Sequence, residues 1–262
     1  MGKQKKAAVF MFIDALGWEI VKKHDFCADI LPERFPVKTQ LGYSSTAIPT
    51  ILSGKKPQEH KHFSFYYYSP QTSPFKIFRY LPMDWLPGCI FNRWRVRHCF
   101  SQIIKKIYGF NGYFELYNMA YGHLPYFDYC EKTDIFAPGG LTPVKNLNDA
   151  MLSKKIPYLI SDWRQSDNFN INQMKVALET GEIEFGFLYT AAFDGFLHDN
   201  IGNHNAVAAE LTKFQEIISK LIETGNKNYD DFEFTVISDH GMTPLKYTVD
   251  LKSQIKTLEL KF

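Results

Sequence analysis

Cysteine is scarce in this sequence: Cys27, Cys89, Cys99 and Cys130 are the only four, and no two of them form a C-x-x-C pair. That spacing offers neither a zinc ribbon nor a disulfide framework, so reduced thiols and a cytoplasmic location are the expectation. Long apolar runs are missing as well. None approaches the ~18 uninterrupted residues of a membrane span. The basic start at Met1 to Lys6 leads into Ala7 to Ile13, which is short and ends on Asp14, a first core strand rather than a signal peptide. Neither sign of charge dominates, with 30 Lys and Arg against 28 Asp and Glu. A net charge of +2 is too near balance to argue for a nucleic-acid partner. No repeat of 20–50 residues and no low-complexity tract is present.

What is present is ordinary globular composition, 45% hydrophobic and 22% charged, in a chain long enough for one α/β domain with an insertion. Ala7 to Ile13 and Phe185 to Thr190 are near-continuous apolar runs, as expected of parallel strands covered on both faces. Phe232 to Ile237 reads as a third, buried strand, Ile156 to Ile160 as a fourth, and Val37 to Tyr43 as a weaker candidate. Between them, apolar positions at helical spacing predict a helix from about Asn205 to Thr224, stopped by Gly225. A shorter helix is expected around Asn172 to Leu178, with a stop at Gly181. The fold class is therefore α/β, a central and mostly parallel sheet flanked by helices.

Residues 60–150 break this pattern. Aromatic content reaches 16% for the whole chain and is concentrated here, in Phe63 to Tyr68, Trp85, Trp94, Tyr113, Tyr117 and their neighbours. Arg93, Arg95, Arg97, Lys105 and Lys106 add a basic cluster, with a helical stretch expected around Phe100 to Tyr108. We read an insertion within a single domain spanning 1–262, either a lid facing a nucleotide or sugar or a small satellite core.

Chemistry gathers at the carboxyl ends of the expected strands, where open α/β sheets place their ligands. Asp14 follows the first strand, and taken alone it reads as a helix cap or turn residue. Ser44 and Ser45 open a helix-like stretch, where the positive dipole end favours a phosphate. Asp194 and His198 stand four apart after the strand at Phe185. Asp239 and His240 follow Ile237 directly, in Ser238-Asp239-His240-Gly241-Met242. Carboxylates and imidazoles suit Zn²⁺ or Mn²⁺, and their number suggests two metals close together.

These residues, in this order, resemble the alkaline phosphatase superfamily: Ile13-Asp14, then Ser44 and the S-G-x-x-P-x-x-H from Ser53 to His60, then Asp194-x-x-x-His198, then Asp239-His240-Gly241-Met242. The nucleotide pyrophosphatase/phosphodiesterase branch is the most similar. The resemblance implies a phosphoric ester hydrolase with two divalent metals, zinc or alternatively manganese. One metal would be held by Asp14, Ser44, Asp239 and His240, and the other by Asp194 and His198. Ser44 would be the nucleophile, with Ser45 as the alternative, and the product of its attack a phosphoserine that water hydrolyses. The substrate would be a small phosphoester, a nucleotide or nucleotide-sugar among the candidates. Family enzymes bring a further histidine from beyond the Asp-His-Gly motif, whereas His240 is the last histidine here. The expectation is an amino-terminal fragment, His204 being placed at a helix start. The phosphate-binding asparagine of the branch falls near Phe65, and no cysteine opens the C-x-P-x-R of the sulfatases. The alternatives are a metal-dependent phosphomutase or phosphonate hydrolase of the same superfamily, or a non-catalytic remnant lacking the last ligand.

Overall fold

The computed structural model describes residues 5–41, 43–80 and 87–257. Its strands are β1 (Lys6–Ile13), β2 (Tyr66–Tyr68), β3 (Phe127–Tyr129), β4 (Tyr158–Ile160), β5 (Phe185–Thr190) and β6 (Asp231–Ile237). The helices before β3 are α1 (Trp18–Lys23), α2 (Ser44–Ser53), α3 (Pro57–His60), α4 (Gly88–Phe91) and α5 (Trp94–Tyr108). Those after it are α6 (Leu147–Lys154), α7 (Asp167–Thr180), α8 (Ala192–Asn200), α9 (His204–Asn228) and α10 (Leu251–Thr257).

Four strands form one parallel sheet in the order β4-β5-β1-β6, flanked by helices, so the α/β reading holds. β1 lies inside the sheet, and its alternating side chains divide between two apolar layers. Val9, Met11 and Ile13 pack with residues of α7 and α9. Phe10 and Phe12 face the opposite layer, with Ile48 and Leu52 of α2 and with Phe187. Burial on both faces explains why the run in β1 is continuously apolar.

Five expectations need correction. β6 is not a buried strand: its residues are exposed or half-buried, because it pairs on one side only among the described residues and alternates Glu233 and Thr235 with its phenylalanines. Val37 to Tyr43 is no strand; residues 32–40 run irregularly along the surface, with Val37 70% exposed and no sheet neighbour. Gly42 lies outside the described residues, as does Trp85. α9 does not stop at Gly225 but continues to Asn228. Gly225 lies within the helix, and a Cβ there would sit 2.3 Å from the Phe232 ring, so the residue serves a close approach rather than a stop. α7 starts earlier than expected, at Asp167, where the Ser166 side chain accepts from the Phe169 N–H. α5 likewise begins at Trp94, six residues before the expected start.

The aromatic stretch builds its own core. β2 and β3 pair antiparallel, and Phe75, Phe114, Leu116, Leu124 and Tyr129 form an apolar cluster separate from those on the sheet. Arg97 is buried within it, donating to the carbonyls of Tyr117 and Met119 and lying 4.6 Å from the Tyr121 ring centre.

Candidate active site

Parallel strands end at one edge, and that edge collects the polar residues. Asp14 follows β1, Asp194 sits in the first turn of α8 after β5, and Asp239 and His240 follow β6. Ser44 is the first residue of α2. The register of β1 with β5 and β6 brings these ends together: Ile13 pairs with Thr190, and Phe12 with Ile237.

Carboxylate and imidazole atoms of Asp14, Asp194 and His240 all lie within 4.8 Å of one another. His240 Nε2 is 3.6 Å from Asp14 Oδ1 and 3.4 Å from Asp239 Oδ2. Its Nδ1 faces the Gly241 carbonyl at 3.2 Å, which can only accept. A proton on Nδ1 serves that carbonyl, and in this neutral tautomer Nε2 offers a lone pair to which the Ser44 hydroxyl can donate across 3.0 Å. Asp239 Oδ1 accepts from the backbone N–H groups of Ala15 and His240. Asp239 Oδ2 and Asp14 Oδ1, by contrast, are buried with no hydrogen-bond partner. Two orphaned carboxylate oxygens beside an imidazole lone pair would be costly in a closed site. Burial, reinforced by the charges of Asp239 and Asp194, pushes the Asp14 carboxyl up to about 8. A bound cation reverses that penalty, and the oxygen and nitrogen donor set fits zinc or manganese.

The turn after β1 shows why Asp14 is not a capping residue. α1 begins four residues later with Gly17 at its N-cap and no side-chain cap bond, so this carboxylate is not spent on a helix. Gly17 has a different duty: a Cβ there would lie 2.3 Å from the Cα of Gly241. The two glycines let the β1 and β6 turns cross, which carries His240 over Asp14. On α2, Tyr43 precedes Ser44 with φ 59° and ψ −150°, a sparsely populated conformation for a side-chain-bearing residue. Strain of this kind concentrates at functional sites, and here it turns the chain so that Ser44 heads the helix.

Ser45, one residue on, is buried, whereas the Ser44 hydroxyl is the one placed on His240. His198 does not join the group. It stands one turn from Asp194 with Nε2 3.4 Å from Asp194 Oδ2, and its side chain is 68% exposed. Asp194, assigned by resemblance to a second centre with His198, also lies beside Asp14 and His240. His204 opens α9 as expected, with its ring nitrogens against the Lys23 ammonium, a poor place for a further cation. Phe65 stacks on Tyr129 at 5.8 Å and contributes packing. His60 is buried and structural: Nδ1 accepts from the His62 N–H, so Nε2 donates to Thr50 Oγ1 at 3.0 Å and ties α3 to α2.

Two contacts escaped the sequence. Tyr189 donates to Asp14 Oδ2 at 3.4 Å, and Thr39 donates to the Asp239 carbonyl. Tyr189 lies one position before the end of β5, and only its pairing with Phe12 reveals that its hydroxyl reaches Asp14. Thr39 belongs to a segment without regular structure, where no periodicity signals a role.

A family model described as type I phosphodiesterase / nucleotide pyrophosphatase matches residues 42–261. The chain belongs to that family. It is a phosphoric ester hydrolase family of the alkaline phosphatase superfamily, typically metal-dependent. Comparison with curated proteins finds no match. β1 and Asp14 precede the residues matched to the phosphodiesterase family, yet the sheet register places Asp14 among matched residues of β5 and β6. No helix among the described residues is long and apolar enough to cross a membrane.

Proposed function

We propose that this phosphodiesterase-family chain hydrolyses a small phosphoester, a nucleotide or nucleotide-sugar, with Ser44 as nucleophile and Asp14, Ser44, Asp194, His198, Asp239 and His240 as the metal-binding set. The single observation that carries the reading is the orphaned pair Asp14 Oδ1 and Asp239 Oδ2 beside His240 Nε2. Two divalent cations are the full expectation, zinc first and manganese as the alternative. When bound, they would supply Lewis-acid charge that stabilises phosphoryl oxygens and lowers the pKa of an oxygen nucleophile.

The chain's own residues do the rest. Asp14, Asp239 and His240 come from turns on adjacent strands, so their spacing is fixed by the sheet rather than by mobile loops. Ser44 Oγ holds its proton toward His240 Nε2 and heads α2, where the helix dipole favours an incoming phosphate. Attack by Oγ on phosphorus, in line with the leaving oxygen, forms the serine O–P bond and breaks the ester P–O bond, the hydroxyl losing its proton and the leaving oxygen gaining one; water then cleaves the serine O–P bond and releases a phosphomonoester from a diester, or phosphate from a monoester. Tyr189 holds Asp14 from the sheet side and Thr39 holds the Asp239 backbone. Residues 60–150 are assigned as a cap within one domain, supported between Phe65 and Tyr129 by a separate aromatic core, while Ile135, Phe136 and Leu141 pack with the sheet. The cytoplasmic assignment draws on four free cysteines.

The test is hydrolysis of bis-p-nitrophenyl phosphate and of p-nitrophenyl phosphate by metal-stripped protein with Zn²⁺ or Mn²⁺ restored. Metal-restored diester turnover is expected. Turnover of the monoester alone would make the enzyme a phosphatase, and silence on both with metal bound would overturn the catalytic reading.

A further inference from the structure

Between Lys61 and Phe114 the sequence holds eight lysines and arginines and a single acidic residue, Asp84. The chain as a whole is nearly neutral, so this stretch is a basic pole on an otherwise acidic molecule. Arg97 is buried on backbone carbonyls, and Lys105 lies 5.8 Å from the Trp163 ring centre. The other six, Lys61, Lys76, Arg79, Arg93, Arg95 and Lys106, are exposed. None of them has a carboxylate partner among the described residues, although surface lysines elsewhere on the chain do.

Large apolar side chains accompany them. On α5 the buried face is Arg97, Ser101 and Ile104. At 100° per residue, Arg95, Cys99, Gln102 and Lys106 fall on the opposite side, with Ile103 and Ile107 toward one flank of it, and all are exposed. Ile107 is 71% exposed, and Trp94, at the start of the helix, 74%. Ile90 on α4 projects just before it, and the 3-10 turn at Lys76–Tyr80 exposes Ile77 and Tyr80. Exposed isoleucine is costly in water and gains nothing from a phosphodiester backbone. Isoleucine, tryptophan and tyrosine interleaved with lysine and arginine are instead the side chains that lodge at the boundary between lipid headgroups and acyl chains. A polybasic surface adds attraction to anionic headgroups.

We propose that the exposed face of α4 and α5 is a docking surface for an anionic lipid bilayer, on which the protein lies without spanning it. Isoleucine and tryptophan enter the headgroup boundary while Arg93, Arg95 and Lys106 meet lipid phosphates. The basis is the charge complementarity and exposed apolar residues of this face, independent of the chemistry at the strand ends.

The experiment is co-sedimentation of the full chain with vesicles of phosphatidylcholine alone or of phosphatidylcholine mixed with phosphatidylserine. Sedimentation with the anionic vesicles only is expected, weakening as salt rises. Arg95→Glu/Lys106→Glu should reduce the bound fraction about tenfold or more. Ile103→Ser/Ile107→Ser, which keeps every charge, should reduce it as well. Circular dichroism of both variants, altered only at exposed positions, should match the parent. No binding to anionic vesicles by the parent would overturn the proposal. So would binding that ignores the isoleucine substitutions and is displaced by single-stranded RNA, which would mark a polyanion surface instead.

Discussion

Two carboxylates, Asp128 in the aromatic unit and Asp239 at the strand ends, are almost equally buried and differently treated. Asp128 is fully partnered: Tyr67 and Thr72 hydroxyls donate to Oδ2 at 3.1 Å, the Tyr129 N–H to Oδ1 at 2.7 Å, and Lys132 sits at 2.6 Å. Asp239 has backbone donors on Oδ1 and nothing on Oδ2, with the unpartnered Asp14 Oδ1 nearby. The first arrangement holds a fold together and needs nothing from outside. The second is incomplete by itself, as expected where a cation supplies the missing charge.

The largest expected effect comes from the residue that acts rather than holds. Ser44→Ala should lower metal-restored diester turnover by at least about 10³-fold with metal content largely retained through the remaining ligands; a normal rate in this variant, and a dead Ser45→Ala, would move the nucleophile one position. Asp128→Ala should destabilise the protein by about 3 kcal/mol in chemical denaturation while the rate per folded molecule stays the same. Loss of rate at unchanged stability would place Asp128 in the site and break the contrast.

Asp239→Asn should act in the opposite sense. It keeps the Oδ1 acceptor and removes the orphaned charge, so metal affinity by calorimetry should fall about 100-fold or more while the metal-free protein becomes no less stable. A metal-free variant weaker than the parent would mean that the carboxylate is structural after all.

Glu131 is the place where the aromatic unit departs from its own rule. It is 5% exposed, and burial, with the nearby Asp134 charge, raises its carboxyl to about 8. A carboxyl raised in the folded state favours folding fully below its unfolded value near 4.5, and that stability is lost as pH rises toward 8. Glu131→Gln should therefore flatten the fall in stability between those values and stabilise the protein at pH 7 by roughly 2 kcal/mol. An unchanged pH profile would show that Glu131 has a partner when ionised.

Much of this was legible in the residues. β1 and β5 announce themselves as apolar runs, α9 by its helical stripe, Asp14, Asp194, Asp239 and His240 by their positions just past strand ends, and Ser44 by its place at a helix start. The illegible parts depend on partners distant in sequence. Gly225 reads as a stop because local signals cannot show the Phe232 ring against it. β6 reads as buried because periodicity cannot show which strand lies at the side of a sheet.

The order of chemical groups along the chain, and hence the family, was written in the sequence, since strand-end placement follows from short-range patterns of apolar and polar residues. Which groups meet was decided only by tertiary structure. Parallel register brings Asp14 to His240 across more than two hundred residues, the Gly17–Gly241 crossing lets the turns approach, and Tyr189 reaches Asp14 from the neighbouring strand. The physical reason is that a strand fixes the direction of its own side chains, while their distance from another strand's is fixed by hydrogen-bond register, which neither strand specifies alone.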